Sequence, residues 1–140
     1  MTILLDTNVV SEWVKQRPHS GVVRWLAEID EDRVFLSVIT LAALRHGVDR
    51  LAAGARRRGL DAWLRHDLPR RFEGRVLSVE PRIADRCGEV VARREAAGRP
   101  IAIMDAFIAA TAIVHELTLV TRNTAAFKST VEQIVNPWTD

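Results

Sequence analysis

An α/β fold, with helices layered on a parallel sheet, is predicted by three observations. Short apolar runs recur along the 140 residues. Amphipathic helical patterns lie between them. The runs are mostly continuous rather than alternating, as strands buried on both faces are. Strand and helix in alternation is the signature of a layered sheet, and parallel strands need crossover helices.

The first run is "TILL", residues 2–5, followed at once by Asp6 and a helical start in "NVVSEW". Val22, Val23, Leu26 and Ile29 make the first amphipathic stripe, and "VFLS" (34–37) reads as the second strand. Leu41, Leu44, Val48 and Leu51 make the next stripe, with Thr40 as its N-cap. "VLSV" (76–79) is the third strand, and Ile83, Cys87, Val90 and Val91 share a helix face. Gly98 and Pro100 break the pattern before an apolar helix in "PIAIMDAFIAATAIVHEL". "TLVT" (118–121) and "QIVN" (133–136) complete the strands. No repeat, linker or low-complexity tract interrupts 1–140, so one domain is expected.

Composition narrows the class. Apolar residues make up 48% of the chain, enough for a packed core. The single cysteine, Cys87, has no disulfide partner and is expected to pack as a small hydrophobe. "MTILL" is too short for a signal segment and no run approaches 18 apolar residues, which points to a cytoplasmic protein without membrane contact. Net charge is +2, while the pI of about 9.3 reflects arginine-rich stretches at 55–59, 65–75 and 93–99. These read either as solvated helix faces or as a phosphate-binding surface.

In open parallel sheets, ligands bind beyond the carboxyl ends of the strands, here just after residues 5, 37, 79 and 121. Asp6 occupies the first of these places, as a site residue or as a helix cap. Asp105 stands in an apolar helix with no basic residue within four positions on either side. If that helix begins near Pro100, Asp105 lies too deep to be a cap and should be buried. Two such carboxylates repel, and a divalent cation removes the conflict. His19, His46, His66 and His115 form no HxH or HxxxH pair, so the donors favour Mg²⁺ or Mn²⁺ over Zn²⁺. Carboxylate-held ions of this kind commonly serve phosphate chemistry.

"LLDTNVVSEW", "SVITLAALRHGV", "PIAIMDAFIAATA" and "LVTRNTAAF", closing with "IVNPW", resemble the PIN-domain proteins, and more narrowly the VapC-type toxins of bacterial toxin–antitoxin pairs. The resemblance runs from residue 3 to residue 138. It implies a three-layer α/β/α fold around a parallel sheet of four or five strands. It also implies Mg²⁺- or Mn²⁺-dependent cleavage of RNA, inhibition by a VapB-type antitoxin, indirect contact with operator DNA through that antitoxin, and a homodimer.

Carried over by position, Asp6 and Asp105 match the first and third acids and are the expected metal ligands. The second acid, normally a Glu, is Ala43, and the fourth position holds Asn123. Ala126 stands where some relatives have a further Asp. An engineered Glu→Ala truncation is favoured over natural loss. Thr7, Asn8, Ser11 and Thr121 are expected to orient the carboxylates or bound waters, Thr7 and Asn8 alternatively serving only local turn bonds, and Arg45 and Arg122 to grip phosphate or to form surface ion pairs. Val10, Trp13 and Trp25 are expected either to wall an antitoxin groove or to pack in the core. A non-enzymatic, antitoxin-binding co-repressor is the alternative. A phosphatase using Asp6 as nucleophile is disfavoured, because Asn8 replaces the second Asp such enzymes use.

Overall fold

The computed structural model describes residues 1–140. Its centre is a five-stranded, all-parallel sheet in the order β3-β2-β1-β4-β5. The strands are β1 (Ile3–Leu5), β2 (Val34–Ser37), β3 (Val76–Leu77), β4 (Thr118–Val120) and β5 (Ile134–Val135). All five expected strands are present, each trimmed by up to two residues. Ile3 stands beside Val34 on one side and Thr118 on the other, so β1 is central.

The helices are α1 (Thr7–Val10), α2 (Ser20–Glu28), α3 (Val38–Asp49), α4 (Ala55–Ala62), α5 (Leu68–Arg71), α6 (Pro81–Ala96), α7 (Ile103–Val114) and α8 (Thr124–Phe127). A 3₁₀ turn over Ser11–Val14 extends α1, and a π-helical turn over Trp63–Asp67 joins α4 to α5. Alternate strand residues supply two cores. Ile3, Leu5, Val34 and Leu36 pack with Val9, Val22, Leu44, Leu64 and Phe72 on one face. Leu4 and Leu119 pack with Ile108, Ala109, Ala112 and Phe127 on the other. Strands this short are held by burial on both sides, because three residues supply few ladder hydrogen bonds. A third cluster joins α6 to α7 and takes in Cys87, which is 2% exposed and whose thiol pKa is pushed up by burial.

Three local expectations are corrected. Ser37, not Thr40, caps α3: its hydroxyl accepts from the Ile39 backbone N–H at 3.0 Å. The strand runs into the helix without a loop, so its last residue serves as the cap. Val23 and Leu51 do not belong to the buried stripes, and both are exposed. Val23 turns one residue away from the Val22–Leu26 face, while Leu51 lies past the end of α3. The apolar helix begins at Ile103, with Ala102 as N-cap, three residues later than Pro100 suggested. Its first turn is open to solvent at Ile103 and Met104, whereas Ala106 and residues 108–112 are buried. No helix is long and apolar enough to cross a membrane.

Candidate functional site

The chain builds β1, β2 and β3 outward in one direction, then returns to place β4 on the free side of β1. The crevice at that reversal, beyond the ends of β1 and β4, is where such sheets take ligands. Asp6 follows β1 directly, and its backbone N–H donates to the Val120 carbonyl at 2.9 Å. The carboxylate is 7% exposed. Oδ1 accepts from the Thr7 backbone N–H at 2.8 Å, and Oδ2 accepts from the Thr121 hydroxyl at 2.8 Å. Asp6 is thus both the cap of α1 and a buried acid. Burial pushes its carboxyl above the ordinary range, with the Thr121 and Thr7 hydrogen bonds pulling the other way.

The donors on Asp6 are themselves fixed. The Asn8 amide lies 3.5 Å from Asp6 Oδ2 and 3.4 Å from Thr121 Oγ1, and its carbonyl oxygen accepts from the Arg122 backbone N–H at 3.2 Å. Thr121 Oγ1 accepts from the Asn123 N–H at 3.0 Å. Asn8 therefore ties the ends of β1 and β4 together. Thr7 acts through its backbone, and Ser11 departs from expectation. Its hydroxyl donates to the Thr7 carbonyl at 2.9 Å, a bond within the helix rather than to an acid.

Asp105 enters from the third position of α7 and is half-buried, less than expected because the helix starts later. Desolvation raises its carboxyl pKa, the negative charge of Asp6 raises it further, and Arg94 opposes both. The charge of Asp6 is thus felt at Asp105, and no hydrogen bond lowers the Asp105 carboxyl in return. Asp6 and Asp105 repel each other in a crevice that a hard cation would neutralise. Mg²⁺ keeps several waters and is often held by only one or two protein carboxylates, so this pair fits such an ion. No three of the Asp, Glu, His and Cys side chains gather closely enough to form a fuller set.

Ala43 is half-buried on α3, which touches both α1 and α7. Asn123 is exposed at the start of α8 and makes no side-chain cap. Ala126 is half-buried nearby, and its carbonyl accepts from Arg94 at 2.7 Å. Arg122 lies over the Trp138 ring, 5.3 Å from its centroid. Arg45 does not reach the crevice as a free cation. Its guanidinium is paired with Asp49 at 2.9 Å and Asp61 at 2.7 Å, which hold its pKa up and Asp61's down.

The arginine-rich stretches largely bind the fold to itself. Arg71 pairs with Glu31, Arg75 donates to the Val34 carbonyl at 2.7 Å, and Arg56 donates to the Val14 carbonyl at 3.1 Å. Val10 is wholly buried in the core, so it walls no groove. Trp13 packs on that core beneath the Arg71 guanidinium, and Trp25 faces a cavity of about 220 Å³ beside Trp138. His19 caps α2 through Nδ1, and His115 meets Glu80 at 3.2 Å.

Two buried polar groups carry unpartnered atoms that the sequence reading did not foresee. Glu12 is 2% exposed; Oε1 meets Lys15 at 3.1 Å while Oε2 has no partner. Its place beside Trp13 in an otherwise apolar segment was the available signal. Thr40 is fully buried, and its hydroxyl has no partner either. Such an orphan costs about 1–3 kcal/mol.

The geometry agrees with comparisons to known proteins. Residues 3–132 match the model of the family described as PIN domain. The chain is 38% identical over 138 residues to Toxin FitB of Neisseria gonorrhoeae, covering 99% of each protein. It is 35% identical over 136 residues to VapC ribonuclease Y4jK of Sinorhizobium fredii, covering 97% of each. The solved structure of FitAB bound to a DNA fragment superposes with a TM-score of 0.91 at 36% identity, covering 98% of this chain and 96% of that one. With a five-stranded parallel sheet, a buried acid at its point of reversal and relatives alike along nearly their whole length, the chain belongs to the PIN-domain family, among its FitB- and VapC-like toxins.

Proposed function

We propose that this chain is the toxin of a type II toxin–antitoxin pair and is built as a divalent-metal-dependent endoribonuclease. Asp6 and Asp105 are the ligands for Mg²⁺ or Mn²⁺. The observation that carries this reading is Asp6, buried at the topological switch point with both carboxylate oxygens held by the Thr7 N–H and the Thr121 hydroxyl. A bound ion would polarise water and neutralise phosphate charge. The protein's own part is orientation. Thr121 and the Thr7 N–H fix the two oxygens of Asp6, Asn8 holds the β1 and β4 ends in register, and Asp105 is carried in the first turn of α7. Asn123, exposed after β4, is placed to meet RNA or a bound water. Ala43 leaves the site one carboxylate short of the family pattern, so metal affinity and cleavage are weakened in this chain.

The partners follow from the toxin reading: a VapB- or FitA-type antitoxin, operator DNA reached through that antitoxin, an RNA substrate, and a second copy of the chain in a homodimer. The protein acts in the cytoplasm as one domain over residues 1–140. A second reading, a non-enzymatic antitoxin-binding co-repressor, is favoured by one observation: no third acid approaches Asp6 and Asp105.

RNA cleavage by the purified protein, with and without Mg²⁺ or Mn²⁺, separates the two. The Ala43→Glu variant should cleave only with metal, and Ala43→Gln should not. Equal cleavage by the unaltered chain and by Ala43→Glu would make the missing acid irrelevant. Absence of cleavage from both leaves the co-repressor reading.

A further inference from the structure

Other helical hydroxyls of this protein, buried or half-buried, satisfy themselves by donating one turn back. Thr111 Oγ1 donates to the Phe107 carbonyl at 2.7 Å, and Ser11 Oγ donates to the Thr7 carbonyl at 2.9 Å. Thr40 breaks the pattern. It is fully buried in the first turn of α3, and its hydroxyl has no partner. Four residues back lies Leu36, whose carbonyl belongs to β2 and not to the helix, so the usual acceptor is missing. Valine would fill the same volume without an orphaned hydroxyl.

Position 43 lies one turn further along the same helix face. Helical side chains lean toward the N-terminus, so a long side chain at 43 would lie over residue 40. Ala43 carries no atom that reaches there. The helix also touches both the segment that follows Asp6 and the helix that bears Asp105.

We infer that Thr40 is the positioning residue for an acid at position 43: its hydroxyl donates to a carboxylate carried there and turns that carboxylate toward Asp6 and Asp105. The orphaned hydroxyl is then the imprint of a side chain that Ala43 lacks. This rests on the reading that position 43 borders the metal site. A carboxylate held by a hydroxyl loses less freedom when it binds a cation, as with the outer partners of metal ligands.

Mn²⁺ binding to the full chain tests this by titration, with thermal unfolding as the second readout. Ala43→Glu should tighten Mn²⁺ binding about tenfold, and adding Thr40→Val should remove most of that gain. Thr40→Ser should preserve it. In the Ala43 background, Thr40→Val should leave Mn²⁺ binding unchanged and raise the melting temperature, because it removes an orphaned group. Equal tightening by Ala43→Glu with Thr40 and with Thr40→Val overturns the role of Thr40 while leaving the metal site standing. No tightening by Ala43→Glu in any background places position 43 outside the site and overturns both.

Discussion

The Thr121 hydroxyl donates to Asp6 Oδ2 at 2.8 Å, joining residues 115 apart in sequence across the ends of β1 and β4. The bond is buried and has a charged acceptor, so it belongs to the stronger class. Thr121→Val keeps the volume and removes the donor. We expect a loss of about 1–3 kcal/mol in urea unfolding, together with weaker Mn²⁺ binding. Unchanged stability would show that the Thr7 N–H alone suffices to hold Asp6.

Asp105 gives a pH-dependent signature. Its carboxyl titrates above 3.8, the ordinary value, because burial and Asp6 both disfavour its charge. The folded chain therefore binds more protons than the unfolded chain between those two values. The carboxylate's penalty is absent below about 3.8 and grows as pH rises through the folded value. In metal-free protein, Asp105→Asn should raise the melting temperature by a few degrees at pH 7, and the gain should shrink toward pH 4. A gain equal at both pH values, or none at pH 7, contradicts the raised carboxyl.

Adding charge should do the reverse. Ala43→Glu brings a third carboxylate toward the pair and should cost of order 1 kcal/mol in metal-free protein. Saturating Mn²⁺ should restore that loss, because an ion that binds only the folded state stabilises it. The comparison needs melting curves in chelator and in Mn²⁺. A variant as stable as the parent in chelator would mean that the new acid does not face Asp6 or Asp105.

Arg94 bridges three neutral acceptors: the Arg99 carbonyl at 2.8 Å, the Ala126 carbonyl at 2.7 Å and Thr130 Oγ1 at 3.1 Å. It ties α6 to the segment after β4 while its charge opposes that of Asp6 at Asp105. Arg94→Met should cost roughly 1–3 kcal/mol and speed amide exchange in residues 126–131. Unaltered exchange there would show that the hydrophobic seat of Phe127 alone fixes this segment.

The fold was legible because the strands are short and buried on both faces, and that leaves continuous apolar runs. Asp6 was legible for a related reason: a charge at the end of such a run has no bland surroundings to hide in. Thr40 was misread because strand and helix share Ser37, and propensity alone does not say which hydroxyl serves as the cap. The depth of Asp105 was overestimated because Pro100 marked a helix start three residues early. Arg45 was open to two readings, and the structure takes the ion-pair one: Asp49 lies one helical turn on and was visible to the pairing rule, whereas Asp61, 16 residues away, was not. Glu12 and the Thr40 hydroxyl left no periodic trace, since an unpartnered polar atom is defined by what fails to surround it.

The central place of β1 has a consequence for synthesis on the ribosome. β1 is made before either of its sheet neighbours, and β2 can cover one edge of it early. The other edge waits for Thr118–Val120, which are synthesised long after β1 and β2. Until then Asp6 lacks the Val120 carbonyl for its N–H and the Thr121 hydroxyl for its carboxylate. A nascent or prematurely released chain thus carries the first acid without its clamp. The clamp on Asp6 is complete only once β4 has docked, and products cut before β4 do not inherit it.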